Sequence, residues 1–231
     1  MDGARPAENR VLDNYRLLFF LLLATLVLIA AAGDSGPGRA LVLIAASASA
    51  WLALRASDVQ RVVLRLAMAV IPLLAAVALV LLAFGGERVA QAATGALILL
   101  LVVVAPAAIA RSFARHPVVT GDTFFAAVSV YLLVAMFFAT LYSLVATVTG
   151  EPFFSQRESA SAVEYLYFSF TTITTTGYGD YTAAGDVGKM TAMIEAIMGQ
   201  LYLITVVALV VQNLGQTRQR RIEEEQHGEG D

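Results

Sequence analysis

The chain has 231 residues, 58% of them hydrophobic and only 14% charged, with a mean hydropathy of +0.74 and a formal net charge of −3. A soluble domain averages about 45–50% apolar and about 25% charged residues, so the composition excludes a soluble globular protein and points to an integral membrane one. Cysteine is absent, which removes disulfides, thiol catalysis and cysteine metal sites, and fourteen arginines scattered around the single Lys189 form no basic run for nucleic acid.

Apolar runs, measured against the roughly 20 residues that cross a bilayer, give six spans. They cover residues 15–32, 39–56, 64–84, 89–110, 123–148 and 187–213. The first becomes apolar at Leu17, behind sixteen mixed residues, and other apolar runs follow it. It therefore reads as a span rather than a cleaved leader. Turn chemistry separates several runs: GDSGPG at 33–38, GGE at 85–87 and TGEP at 149–152. Pro72 and Pro106 fall inside the third and fourth spans, where bends are expected because neighbouring helices satisfy the freed carbonyls.

Orientation follows from the cations. A cytoplasmic amino terminus puts eleven basic residues inside: Arg5, Arg10, Arg16, Arg55, Arg61, Arg65, Arg111, Arg115, Arg218, Arg220 and Arg221. Only Arg39, Arg88, Arg157 and Lys189 fall outside, which satisfies the positive-inside rule without moving a span. The expectation is a multi-pass protein of the cell membrane with residues 1–14 and 215–231 both cytoplasmic. Residues 15–116 then form a four-helix unit and residues 117–214 a second unit.

Between the last two spans lies a shorter apolar stretch, SAVEYLYFSFTTITT, followed by TGYGD. A helix of about twelve residues is roughly 18 Å long, enough to enter the bilayer but not to leave it. Polar, non-helical backbone survives at that depth only where protein buries it or it lines a wet cavity. A half-helix with an extended return would line such a cavity with carbonyls, and the helix carboxyl end would aim partial negative charge at the membrane centre.

The string TTTGYGD at 174–180 resembles the selectivity filter of tetrameric potassium channels, whose common form is Thr-Val-Gly-Tyr-Gly followed by Asp. The resemblance covers about residues 123–214. It implies an all-α integral membrane fold of six transmembrane helices plus a re-entrant pore helix and an extended filter, assembled into a tetrameric pore. The pore domain would comprise an outer helix 123–148, a pore helix 162–175, the filter 175–180 and an inner helix 187–213. Thr175, Thr176, Gly177, Tyr178 and Gly179 take the five filter positions, with K+ held by Thr175, Thr176, Gly177 and Tyr178, and Asp180 takes the outer mouth. Carbonyl oxygens there replace the hydration shell of the cation, and the glycines adopt conformations closed to other residues. The Thr175 hydroxyl adds an innermost oxygen ring, and Tyr178 packs outward against the pore helix. One filter copy per chain implies a homotetramer, with no cofactor beyond K+ ions in the filter and with lipid, but no nucleic acid, as partner.

The last span has Gly199 twenty residues after Gly179. A glycine inside a helix costs about 1 kcal/mol relative to alanine, so it calls for a reason, either the inner-helix hinge that the resemblance implies at this position or close helix packing. Glu195, one turn earlier, is an ionisable residue inside a span, which is either functional or a buried acid supporting the filter from behind. Gln200, Leu203, Val207 and Val211 share one helix face, and the resemblance assigns that face to the cavity and lower pore. Glu151, Glu158, Glu164, Asp180 and Asp186 gather near the outer mouth, where their field would concentrate cations.

Two positions depart from the family pattern. Thr176 stands where Val or Ile is usual, and Thr171 stands where some relatives carry a carboxylate paired with the acid after the filter. The fourth span has Arg88 and Arg111 only at its ends. Moving one charge through 100 mV is worth about 2.3 kcal/mol, so steep voltage gating needs several charges within the span. His116 and His227 have no partners at metal-ligand spacing, and residues 215–231 are a basic-then-acidic extension without a motif. The expected function is passive potassium conduction without strong voltage gating and without enzyme activity. The alternatives are an ion-translocating subunit of a potassium uptake transporter and a less selective cation channel.

Overall fold

The computed structural model describes residues 7–32, residues 121–205 and isolated positions between 38 and 80. Apart from those isolated positions, the expected second, third and fourth spans lie outside the described residues, as do Val207, Val211 and the tail 215–231. Four helices organise the described residues: α1 over Ala7–Ala32, α2 over Gly121–Thr149, α3 over Ala162–Ile173, and α4, described over 186–205. Among them, α2 is long and apolar enough over Phe124–Thr149 to cross a membrane, with a mean hydropathy of 2.3, while the apolar part of α1, Tyr15–Ala31, is shorter.

Helix α1 begins eight residues before the first apolar run. No Gly or Pro interrupts Ala7–Ala32, so the hydropathy count marks where the apolar surface starts and not where helical hydrogen bonding starts. Tyr15, Leu18, Leu22, Thr25 and Ile29 are buried at alternating spacings of three and four, a single stripe. The stripe packs on Ala126, Leu133 and Met136 of α2, and the Arg16 guanidinium sits 5.6 Å over the Phe125 ring. On α2 the buried face is rich in small residues, among them Ala126, Ser129, Ala135 and Ala139, which lets neighbouring backbones approach closely. Hydroxyls of Ser129, Thr140 and Thr147 donate to the carbonyls four residues back, at 2.7 to 2.8 Å, so none needs water.

Gly150 ends α2 in the left-handed conformation, φ 71°, with its N–H on Ala146 O at 3.0 Å. The chain then makes an antiparallel strap. Ser155 N–H donates to Thr182 O at 2.9 Å and Ala184 N–H to Phe153 O at 2.8 Å, around a bridge between Phe154 and Ala183. The strap ties the segment before α3 to the segment after residue 180. Beneath it Phe153, Phe154, Tyr142, Tyr165 and Phe168 form one aromatic cluster, with ring centroids 4.8 to 5.9 Å apart.

Helix α3 opens on a capping box. The Ser161 hydroxyl accepts from Glu164 N–H at 3.3 Å, and the Glu164 carboxylate accepts from Ser161 N–H at 2.7 Å. It ends at Ile173, two residues short of the expected 175. Thr171 and Thr172 direct their hydroxyls to Phe168 O and Thr174 its hydroxyl to Phe170 O, and Thr175 then turns left-handed, which no helix can continue.

Candidate ion-conduction site

Residues 175–180 form a non-helical strand outside any sheet, and its backbone alternates in hand from Thr175 to Gly179. φ is 57° at Thr175, 52° at Gly177 and 80° at Gly179, with Thr176 and Tyr178 at negative φ between them. Backbone that alternates in the sign of φ departs from a β-strand, whose residues all keep negative φ and whose successive carbonyls point to opposite sides. Two hydrogen bonds fix which side the first carbonyls face. Thr176 N–H and Gly177 N–H both donate to Thr171 O on α3, at 2.9 and 3.0 Å. In a trans peptide the C=O points opposite to the N–H, so the carbonyls of Thr175 and Thr176 point away from α3. Within the single chain a Cβ added at Gly177 or Gly179 meets nothing within 4 Å, and the positive φ is what favours glycine there. Thr175 is a β-branched residue at positive φ, a conformation that costs about 1–2 kcal/mol.

At the outer end, Tyr178 is 71% exposed and stacks on Tyr167 of α3, with centroids 6.1 Å apart and planes within 9°. The Tyr167 hydroxyl donates to Asp180 Oδ2 at 2.8 Å, and Tyr181 N–H donates to Oδ1 at 3.1 Å. Thr171 plays no part there, because its hydroxyl is turned back onto Phe168 O at 3.0 Å. Thr176 places its hydroxyl 2.9 Å from that of Thr174. Below Tyr181, Glu164 Oε1 accepts from the Tyr181 hydroxyl at 2.8 Å and pairs with Arg157 at 3.2 Å. The Ser161 amide is the main influence holding the Glu164 carboxyl below its usual range. Burial opposes it, and Tyr181, the Ser161 hydroxyl and Arg157 reinforce it.

Behind the strand, α4 meets α3 and α2. Its buried side carries Gly188, Glu195 and Gly199. Glu195 is fully buried, with the Tyr142 hydroxyl of α2 on Oε2 at 2.5 Å and the Ser169 hydroxyl of α3 on Oε1. Gly199 lies against the carboxyl end of α3. A Cβ there would stand 2.3 Å from Ile173 O, the carbonyl that also accepts from the Tyr131 hydroxyl at 3.0 Å. Gln200 and Leu203 are exposed, turned away from α2 and α3.

Residues 128–216 match an ion channel domain. The match is to the family model described as "Ion channel"; it spans most of α2, all of α3, the strand 175–180 and the described part of α4, and covers under half of the chain. No curated protein matches the chain. An ion channel domain together with the apolar α2 marks a membrane protein engaged in ion transport. Sequence reasoning did not reach Tyr167, Ser169, Tyr142 or Tyr131. The aromatic run of α3 was visible, but only the helix register shows which of its members faces Asp180 and which faces α4.

Proposed function

We propose that the chain is a potassium-selective channel subunit that conducts passively through a pore formed by four copies, without strong voltage gating. The observation that carries this reading is the strand 175–179, whose alternating φ and paired amides on Thr171 O leave the Thr175 and Thr176 carbonyls facing away from α3. Four such strands around an axis would supply rings of oxygens to replace the hydration shell of K+. Thr175, Thr176, Gly177 and Tyr178 would hold the ion, Gly179 would complete the strand, and Asp180 would ring the outer mouth. Assembly is supported by α4, where Val187, Met190, Ile194, Ile197, Leu201 and Ile204 repeat at spacings of three and four and are exposed in the single chain. Gln200 and Leu203, exposed on the same helix, suit the cavity below the filter, where the spacing of the sequence would add Val207 and Val211.

Purified protein in liposomes should carry potassium far faster than sodium under the same gradient, and barium, a divalent ion close to potassium in size, should block it. Comparable sodium flux would assign a less selective cation pore and overturn the potassium reading.

A further inference from the structure

One point behind the strand joins three helices and does not balance with an ionised carboxylate. The Ser169 hydroxyl lies 2.7 Å from Ala135 O of α2 and also touches Glu195 Oε1, while the Tyr142 hydroxyl touches Oε2. Those are three hydrogen-bond contacts. A carbonyl supplies no hydrogen and each hydroxyl supplies one, so Tyr142 and Ser169 together can fill only two. If Ser169 donates to Ala135 O, its contact with Glu195 needs a hydrogen from the carboxyl itself. Ser169, Tyr142 and Glu195 are all buried, with Ser169 and Glu195 at 0% exposure. No basic side chain pairs with Glu195 among the described residues. The ionisable groups that face it from α2 are the phenols Tyr142 and Tyr131, α3 contributes only the Ser169 hydroxyl, and α4 adds none. A buried carboxylate without a cation is costly, whereas a buried acid with a donor and an acceptor in place is satisfied.

We propose that Glu195 is a neutral carboxylic acid that positions α3: it donates its proton to Ser169, accepts from Tyr142, and so locks α2, α3 and α4 together behind the strand 175–180. The site lies one turn from Gly199, which presses on Ile173 O, and two residues before Thr171, whose carbonyl orients the Thr176 and Gly177 amides. Loss of the clamp therefore frees the carbonyl that sets the strand. The effect on conduction rests on the potassium-channel reading, while the protonation and the clamp do not.

The test uses the full-length protein in detergent at neutral pH. The infrared difference between wild type and Glu195→Gln should contain a carboxylic-acid carbonyl band belonging to the wild type. Glutamine keeps one donor and one acceptor, so Glu195→Gln should hold Tm near wild type and potassium flux within about twofold. Glu195→Met keeps the volume but leaves the Tyr142 hydroxyl without its acceptor and the Ser169 oxygen without its donor, while Ser169 still donates to Ala135 O. It should lower Tm by several degrees and flux by about tenfold, the factor of one buried hydrogen bond left unmade. Absence of the acid band, or a Glu195→Met protein as stable and conductive as Glu195→Gln, would overturn the proposal. A wild type that shows the band and the Tm pattern but carries no potassium would sink the channel reading alone and leave the clamp standing.

Discussion

At the scale of single residues, Gly199 is where the structure is most demanding. The atom its absent Cβ would strike is a backbone carbonyl, Ile173 O at 2.3 Å, with the Ile173 side chain at 2.5 Å. A flexible side chain could swing aside, but a carbonyl at a helix end that also accepts from Tyr131 cannot. Gly199→Ala should therefore destabilise the protein by about 1–3 kcal/mol, read as a lower Tm. Ile173→Ala removes the side-chain contact but leaves the carbonyl, so adding it to Gly199→Ala should restore little. If Gly199 acted only as a hinge, Gly199→Ala would keep its Tm and change opening alone. The sequence could pose that choice but not decide it, because a helical glycine looks the same whether it bends or packs. The string at 174–180 was legible as a candidate site because its chemistry lies in consecutive residues. Tyr167 and Asp180 are thirteen apart and Tyr142 and Glu195 fifty-three apart, and such pairs become visible only once helix register is known.

At the scale of elements, α3 is held at its outer end by one carboxylate with two tasks. Glu164 caps the helix through Ser161 and anchors Tyr181, beyond the strand, together with Arg157. The Ser161 amide first, then Tyr181, the Ser161 hydroxyl and Arg157, favour its charged form, against burial. A carboxyl whose folded value is depressed contributes stability that is fully present above its ordinary value, about 4.3 for Glu, and lost as pH falls towards the depressed value. Wild-type Tm should therefore decline as pH drops below about 4.3, and Glu164→Gln should be less stable at neutral pH with a shallower decline. Parallel Tm curves for the two proteins would show that the ion pair and cap contribute nothing. The capping box of Ser161 and Glu164 emerges only in the structure, since the start of α3 was expected from its apolar run alone. The end of α3 was not legible, because three threonines that back-bond to the helix and one that turns left-handed are the same letters. The strap of 153–156 on 182–184 was equally hidden, since neither segment alternates in a way that announces a strand.

At the scale of the whole molecule, the question is what opens the proposed pore. Helix α1 packs directly on α2, so a helix outside the matched channel domain is joined to it through a continuous apolar contact. Such a contact could transmit movement only if something upstream moves in the field, and the sequence of 89–110 holds no charge between Arg88 and Arg111. We therefore expect open probability to depend little on voltage, with an effective gating charge of no more than about one, since each charge moved through 100 mV contributes about 2.3 kcal/mol. Residual voltage dependence would arise in the strand itself, where ions in the proposed pore would also cross the field. There the Thr176 hydroxyl meets that of Thr174, a contact that a valine cannot make. Single-channel recordings in symmetric potassium, over about ±100 mV, separate the two origins. Replacing Arg111 and Arg115 with Gln should leave the open-probability curve unchanged, and Thr176→Val should alter whatever slope exists. A steep curve that the arginine substitutions flatten would place a voltage sensor within residues 15–116 and refute this account of gating.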